Sequence, residues 1–483
     1  MGPTTLIILM LGYFLVLMCV SWMQKSKSAG NRAFFQGDGH SPWFVVSVGM
    51  VGASISGVSF VSVPGMVLNN DMLYMQTVLG FFVGYILIAE ILLPIYYSLD
   101  SPSIYTYLLN RFGNRSYKTG SAFFLLSKIT GAAVRLYVVV LILQYFILDS
   151  LGIPFAVTTA VILLMVWLYS RQGGIKTIVW TDLFQTLILL SAMVLLIIQV
   201  CHAMDVSAME ACGIICKDEH FRWFEWSDWH SQQHFVKQFT SGIFIALVMT
   251  GLDQDMMQKN LTIRNIKDAR RNIYIYGFSF VPVNFLFMCL GILLLVFADR
   301  EGIALPASTD DILPMFATRG YLGNASCILF VIGIVAASFS SVDSALTALT
   351  TSFCMDILGR KDDTRARRLT HVGMTIVIFV LVVILNSNKN NSLLDIIYVI
   401  AGYTYGPLLG LFAFGLFTKR NARDCLTPMI AVVSPLICGA LQLFSTRILG
   451  YSFGYEILMV NGMLTFSALW LSSARQNSKQ HLS

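Results

Sequence analysis

Apolar residues are grouped along this chain in long stretches that are separated by short polar segments. Most stretches approach or exceed the roughly 20 residues that a helix needs to cross the hydrocarbon core of a bilayer. The pattern therefore predicts an all-α integral membrane protein with thirteen spans. These spans are predicted at 4–23, 43–70, 72–98, 120–148, 153–170, 176–203, 238–258, 273–298, 326–353, 371–388, 394–418, 426–446 and 451–472.

The composition leaves no room for a soluble domain. Of the 483 residues, 56% are hydrophobic and 12% are charged, and the mean hydropathy is +0.71, far from ordinary soluble usage. The first span has few charges ahead of it and no small-residue cleavage site behind it, so we interpret it as a retained helix rather than a signal peptide. We expect one transmembrane domain over 1–483, in contact with the lipid bilayer.

Positive charges are distributed unevenly between the connecting segments. Short cytoplasmic loops hold the excess of Lys and Arg in membrane proteins. With the N-terminus outside, most of the 32 Lys and Arg residues fall in inside segments, Lys259 among them, whereas Lys128 and Arg135 fall within a span. This distribution predicts an outside N-terminus and a cytoplasmic C-terminus. We expect the membrane to be a bacterial inner (plasma) membrane. The net charge of +6 then reflects topology, and we expect no nucleic acid partner.

Two predicted spans carry signs of interruption. The second span contains a small, hydroxyl-rich patch from Val51 to Ser59, which is followed by Pro64 and Gly65. The seventh span contains the run from Thr250 to Asp255 near its inner end. Unwound backbone at such points exposes carbonyl groups that can hold a cation. Close helix packing, which small residues also favour, is the alternative explanation of the patch in the second span.

The positions of the two interruptions predict inverted repeats. Five helices separate the starts of the interrupted spans, which is the spacing expected of two five-helix repeats of inverted topology over 43–203 and 238–418. The helix at 4–23 and the two helices over 426–472 then lie outside the repeats. Such repeats place substrate and ion sites near the middle of the membrane.

Hydroxyl and carboxylate side chains share one face of the ninth span. Ser340, Asp343 and Ser344 have the spacing i, i+3, i+4, which places them together on a helix. Hard oxygen ligands without His or Cys suit an alkali or alkaline-earth ion. Asp182, at the start of a long apolar helix, is costly inside a membrane and should face an ion, so it can complete the cage. Alternatively, the serines only bond to the backbone or to a neighbouring helix.

The outer segment near 204–237 contains candidate metal and disulfide residues. Cys212 and Cys216 permit a disulfide if this segment meets an oxidising periplasm. His230 and His234 have a spacing that suits zinc on a helix, but no acidic or Cys ligand stands at a fitting position. The Trp and His residues of the segment suit a lid at the membrane interface better.

Four motifs resemble those of the sodium/solute symporter family and follow in that family's order. They are the Gly-Gly and Trp-Thr-Asp elements of Gly173–Gln185, Ser103–Leu108 with Arg111-Phe112-Gly113, Asp253-Gln254 with Gln258, and Ala337-x-x-Ser340-Ser341. The resemblance covers most of the chain. It implies the inverted-repeat fold named after the leucine transporter and solute uptake driven by the sodium gradient.

The resemblance also implies a principal sodium site. In the family this site uses two backbone carbonyls of the first core helix and the Ala-x-x-Ser-Ser motif of the eighth. The corresponding residues of this chain are Gly52, Ile55, Ala337, Ser340 and Ser341.

A second sodium site is implied by the resemblance to the family's sialic acid symporters. Its residues here would be Asp182, Ser340, Asp343 and Ser344. Asp343 departs from the family pattern, which has a serine at this position. An added carboxylate should strengthen cation binding, but two carboxylates near one site can instead share a proton.

The resemblance places the solute pocket at the interrupted helices. The candidate substrate residues are Ser54, Ser56, Ser59, Gln76, Arg135, Thr250 and Asp253. Gln76 lies two residues from the family's glutamine position, which Val78 occupies, and Arg135 lies about a turn beyond the arginine position, where Gly131 stands. An arginine suits a carboxylate, although Arg135 could instead pair with Glu90 of the preceding helix.

Together these features predict a sodium-coupled secondary symporter that imports a small polar organic solute by alternating access. The solute class is a sialic acid, a sugar or a carboxylate-like compound, and we expect no obligate protein partner. An enzyme or kinase-linked sensor is disfavoured because the chain ends shortly after its last predicted span. A channel, or a sodium-independent or proton-coupled exchanger of the same fold, is the alternative.

Overall fold

The computed structural model describes residues 3–23, 31–99, 101–386, 393–451 and 453–473. The regular elements of these residues are helices, numbered here in chain order. They are α1 Pro3–Met23, α2 Asn31–Gln36, α3 Trp43–Ser54, α4 Gly57–Gly65, α5 Val67–Asn70, α6 Tyr74–Leu87, α7 Leu93–Ser98, α8 Thr106–Arg111, α9 Asn114–Leu143, α10 Phe155–Ala203, α11 Ala208–Lys217, α12 Phe235–Ala246, α13 Gln254–Asn260, α14 Ile266–Glu301, α15 Ile312–Thr318, α16 Gly323–Ser352, α17 Thr364–Leu385, α18 Leu393–Phe417, α19 Thr427–Phe444 and α20 Ile457–Ser472. Short π-helical turns lie at Ile88–Leu92, Gln144–Leu148, Leu247–Gly251, Phe353–Ile357 and Ser445–Leu449, and short 3₁₀ turns at Gly37–Gly39, Asp149–Leu151 and Thr309–Asp311.

Every predicted apolar stretch coincides with helix. Within the described residues, eight helices are long and apolar enough to cross a membrane, and two bent pairs raise that number to ten. The other stretches form the shorter apolar helices Ile7–Met23, Phe155–Arg171 and Ile457–Ser472. The all-α membrane fold is therefore confirmed, whereas thirteen complete spans remain a prediction.

The predicted interruption of the second span is a break between α3 and α4, which meet at an angle of 60°. Ile55 leaves helical geometry with φ −83° and ψ 89°, and the hydroxyl of Ser56 then caps α4 by accepting from the backbone N–H of Ser59 at 3.4 Å. The next residue is Gly57, and only a small residue fits there, because a Cβ would lie 2.5 Å from Cγ2 of Val139 on α9. The small, hydroxyl-rich patch thus produces both a break and a close approach of helices.

The seventh span is also broken, between α12 and α13, with a bend of 67°. The carbonyl of Gly251 accepts from the Tyr96 hydroxyl at 2.7 Å, and that of Leu252 accepts from the Tyr105 hydroxyl at 2.9 Å. The side chain of Asp253 caps α13 by accepting from the backbone N–H of Asp255 at 2.9 Å. Buried carbonyls freed by a break need such donors, so the tyrosines stabilise the unwound segment.

A third break, inside α10, sets the position of Asp182. Gly174 has φ 55° and ψ −150°, and a Cβ there would lie 2.4 Å from the Cα of Phe34 on α2. Only glycine combines this backbone geometry with this packing. The second half of α10 therefore starts at a defined place, and Asp182 lies about two turns into it.

The second half of α10 packs between α3 and α16. A Cβ on Gly52 of α3 would lie 1.9 Å from the hydroxyl oxygen of Thr186, and one on Gly49 would lie 3.1 Å from Cβ of Asp182. On the other side, Ser340 of α16 bonds to the Asp182 carboxylate. This packing brings the end of α3, Asp182 and the hydroxyl face of α16 to one place.

Candidate ion and solute site

The predicted meeting of Asp182 with the hydroxyl face of α16 is present in the structure. The Ser340 hydroxyl donates to Oδ1 of Asp182 at 2.6 Å, and the Ser344 hydroxyl donates to Oδ2 at 3.4 Å. All three side chains are buried. The carboxylate therefore has two neutral hydroxyl neighbours, as an oxygen-lined cation site requires.

Asp182 also has a cationic partner that the sequence did not suggest. The Nζ atom of Lys259 lies 2.8 Å from Oδ2 of Asp182 and 3.6 Å from Oδ1 of Asp255. Lys259 is 1% exposed and lies within α13, so it belongs to the broken seventh span rather than to the inside segment predicted after residue 258. The signal available was its position four residues after Asp255, because side chains four apart on a helix are neighbours.

Asp343 has its own donors. The Tyr169 hydroxyl donates to Oδ2 of Asp343 at 2.7 Å, and the backbone N–H of Ser344 donates to Oδ1 at 2.6 Å. These donors differ from the partners of Asp182, which are the Ser340 and Ser344 hydroxyls and Lys259.

The ion pairs continue from Lys259 towards α9. Lys128 Nζ lies 2.7 Å from Oδ2 of Asp255 and 3.2 Å from Oδ2 of Asp253. We call Lys128, Asp182, Asp253, Asp255 and Lys259 the buried ion cluster. Its members are at most 6% exposed. Removing one partner of a buried pair typically destabilises a protein by about 3–5 kcal/mol because the other charge is left uncompensated, so the cluster should tie α9, α10 and α13 together.

Two residues predicted for the principal sodium site, Gly52 and Ser340, meet the same part of α10. Gly52 of α3 packs on Thr186, and Ser340 of α16 bonds to Asp182, one turn earlier on α10. The Ser341 hydroxyl donates to the carbonyl of Ala337 at 3.0 Å. Ile55 is the residue at which α3 ends, so its carbonyl is free of α3.

A cavity of about 90 Å³ lies at the two breaks. It is lined by six of the predicted substrate residues, namely Ser54, Ser56, Ser59, Arg135, Thr250 and Asp253. Lys128 and Asp255 of the buried ion cluster line it too, together with the aromatic rings of Phe81, Tyr85, Tyr276, Phe280 and Tyr405. The Ser54 and Tyr276 hydroxyls are 2.6 Å apart. A mixture of apolar walls and a few placed polar groups is typical of a small-molecule site.

Arg135 faces this cavity with unused hydrogen-bonding capacity. Its Nε atom is buried and has no hydrogen-bond partner among the described residues. Glu90 is occupied elsewhere, because one of its oxygens lies 3.5 Å from Arg270 and the other accepts from the Tyr274 hydroxyl at 2.5 Å. The alternative pairing of Arg135 with Glu90 is therefore wrong.

Residues 34–431 match the model of the sodium:solute symporter family. The chain belongs to this family. It is thus an integral membrane protein and a sodium-coupled symporter, which confirms the predicted class and the predicted coupling ion. Similar proteins include the sodium/sialic acid symporter SiaT of Proteus mirabilis, 26% identical over 87% of this chain and 86% of that one, and the sodium/sialic acid symporter NanT of Aliivibrio fischeri, 25% identical over 86% and 84%.

Solved structures identify the fold of the symporter. A substrate-bound, outward-open Na⁺-coupled sialic acid symporter has a TM-score of 0.82 at 23% identity and covers 98% of this chain and 99% of its own. The nucleobase-cation symporter Mhp1, in a closed conformation with bromovinylhydantoin bound, has a TM-score of 0.55 at 12% identity, covering 93% and 95%. The leucine-transporter-type fold is confirmed.

Gln76 does not line the cavity of the symporter. Its side-chain NH₂ donates to the carbonyl of Gln233 at 2.9 Å, and its side-chain oxygen accepts from the backbone N–H of Glu225 at 3.1 Å. The residue is fully buried. Gln76 thus holds the outer segment onto the start of α6, and the structure places it apart from the other predicted substrate residues.

The outer segment of the symporter forms a cover over the ends of α6 and α12. His234 accepts from the backbone N–H of Val236 at 3.3 Å and so caps α12. Hydrogen bonds from the side chain and backbone of Ser227 hold the pKa of Glu225 below its usual value. No group of three or more His, Cys, Asp or Glu residues in the described ranges could hold a metal ion. Cys212 and Cys216 are free thiols.

Proposed function

We propose that this symporter takes up a small polar organic solute that carries a carboxylate, such as a sialic acid or a sugar-like acid. The observation that carries the proposal is the position of Arg135, whose Nε atom is buried beside the cavity without a partner. A guanidinium binds a carboxylate through a planar fork of donors. A bound carboxylate would supply the missing acceptor. The two sialic acid symporters among the similar proteins are consistent with this solute class.

Hydroxyl groups around the break would recognise the rest of the solute. Ser54, Ser56 and Ser59 come from the α3–α4 break and Thr250 from the α12–α13 break. Hydroxyls both donate and accept, which suits the hydroxyl groups of a sugar-like molecule. The aromatic rings would pack against its apolar face.

Sodium would bind at the principal site formed by Gly52, Ile55, Ala337, Ser340 and Ser341. Support comes from the convergence of α3 and α16 on one part of α10. The α3–α4 break belongs to this ion site on one side and to the cavity on the other. Sodium and solute should therefore stabilise the same conformation of the break, which is what coupling requires.

Uptake into proteoliposomes tests the function. Purified protein should accumulate a labelled carboxylate-bearing solute when an inward sodium gradient is imposed, and a sodium ionophore should abolish the accumulation. A panel of sialic acids, sugars and small carboxylates can first be screened for sodium-dependent thermal stabilisation, which grows as ln(1 + [L]/Kd). Each active acid is then compared with its primary amide. Equal uptake of acid and amide would contradict the carboxylate assignment.

The repeat boundaries and the orientation are part of the proposal. Repeats over 43–203 and 238–418 would each begin with a bent pair, and the observed bends of 60° and 67° fit this arrangement. We place the protein in a bacterial inner membrane with the N-terminus outside and the C-terminus in the cytoplasm. The excess of Lys and Arg in the segments assigned to the inside supports this orientation.

Thiol labelling should show this orientation directly. Cys212 and Cys425 are exposed free cysteines, assigned to the outside and the inside respectively. In single-cysteine variants, a membrane-impermeant maleimide should label Cys212 in intact cells and Cys425 only after permeabilisation. The reverse pattern would mean the opposite orientation.

A further inference from the structure

The Lys259 side chain lies where the sequence predicted a second sodium ion. Its Nζ atom is 2.8 Å from Oδ2 of Asp182, on the carboxylate that the Ser340 and Ser344 hydroxyls also contact. The cage formed by these oxygens therefore already contains a positive charge. That charge belongs to the protein.

The α12–α13 break places Lys259 at this position. The bend of 67° turns α13 towards α10, and Lys259 lies near the C-terminal end of this short helix. Asp255, one turn earlier on α13, has its Oδ1 atom 3.6 Å from the same ammonium. Lys259 is thus held between two carboxylates from two helices, in a place where it is 1% exposed.

Both oxygens of Asp182 already have partners in this arrangement. Oδ1 accepts from Ser340, and Oδ2 is paired with the ammonium and contacted by Ser344. A sodium ion placed in the same cage would stand next to the ammonium, and two like charges repel strongly where water is excluded. Each oxygen of Asp343 likewise has a donor, the Tyr169 hydroxyl for Oδ2 and the Ser344 backbone N–H for Oδ1.

We propose that the Lys259 ammonium replaces the second sodium ion, so that this symporter binds one sodium ion per solute, at the principal site. The inference rests on sodium-coupled symport. Lys259 is covalently part of α13, so it can move with the helix but cannot be transported. Solute accumulation would then follow the first power of the sodium gradient, where a two-sodium symporter follows the square.

Direct counting of bound sodium tests the inference without relying on transport. Purified parent protein should bind one sodium-22 ion per molecule at saturation, with a Hill coefficient of about one. Lys259→Met removes the charge while keeping an unbranched apolar side chain. It should bind two ions and show a Hill coefficient that approaches two, because the emptied cage still contains the Asp182 carboxylate.

Two further variants separate the charge from the fold. Lys259→Arg keeps the positive charge and should still bind one ion. The double variant Lys259→Met/Asp182→Asn removes both charges and should also bind one, even if Lys259→Met alone fails to fold. Two ions in the parent, or one ion in a folded Lys259→Met protein, would overturn the inference. A parent protein that binds no sodium would instead overturn the principal site on which the inference rests.

Discussion

Replacing Arg135 with lysine should weaken binding of a carboxylate-bearing solute by about tenfold to a hundredfold. Lysine keeps the charge but loses the planar fork that matches a carboxylate, and hydrogen bonds to charged groups contribute about 1.5–3 kcal/mol each. The fold should survive, because the structure shows no hydrogen bond from the Arg135 Nε atom to any described residue. The measurement is the solute dissociation constant at saturating sodium, with the melting temperature recorded for both proteins.

Arg270→Lys is the matched control. Arg270 pairs with Glu90, whose side chain is 46% exposed, and neither residue lines the cavity. This control should leave solute affinity unchanged. The primary amide of the solute should bind the parent and Arg135→Lys equally weakly. An unchanged dissociation constant for the acid in Arg135→Lys would show that Arg135 is not its carboxylate partner.

The meeting of α3, α10 and α16 could be predicted because each element carries its own local signal. The i, i+3, i+4 spacing on α16 fixes a face, since side chains three and four apart share one side of a helix. A carboxylate in an apolar helix needs a partner, so Asp182 is expected to contact the hydroxyl face of α16. Small and hydroxyl residues marked the broken spans, where both the glycine packing and the new N-cap at Ser56 depend on residue type.

The contact of Lys259 with Asp182 could not be predicted in this way. A hydropathy reading ends a span at the first lysine and places that lysine in a loop, which is correct unless a carboxylate compensates the charge. The compensating group, Asp182, lies on a helix far away in the sequence. No periodicity within α13 reports that distant contact.

Gln76 shows why a residue two positions away on a helix cannot replace the expected site residue. The sequence analysis predicts it at the cavity although it stands two residues from the expected position. Two residues rotate a side chain by roughly 200° around an α-helix, so Gln76 and Val78 face opposite directions. Gln76 accordingly bonds to the outer segment rather than facing the cavity. The type of a side chain does not identify a site residue unless its position around the helix is also known.

Removing the Ser341 hydroxyl should raise the sodium concentration for half-maximal binding by about tenfold or more. The principal site would lose one oxygen ligand of a dehydrated cation. A hydrogen bond to a charged group contributes about 1.5–3 kcal/mol. Each 1.4 kcal/mol corresponds to a tenfold change in affinity. Ser341→Ala is a cleaner test than Ser340→Ala, because the Ser340 hydroxyl also bonds to Asp182. Among the described residues, the Ser341 hydroxyl bonds only to its own helix, at the carbonyl of Ala337.

Ser326→Ala provides the matched control for this prediction. Ser326 is a buried serine on the same helix, and its hydroxyl also donates four residues back, to the carbonyl of Leu322 at 2.8 Å. It lies about four turns from Ser341 along α16, so its loss should affect stability alone. Sodium titration of thermal stability separates the two effects, since the Ser341→Ala curve should shift along the sodium axis and the Ser326→Ala curve should not. Equal half-saturation for sodium in the parent and in a folded Ser341→Ala protein would remove Ser341 from the site. Because Lys259 leaves one sodium position, no second ion should compensate for the lost ligand.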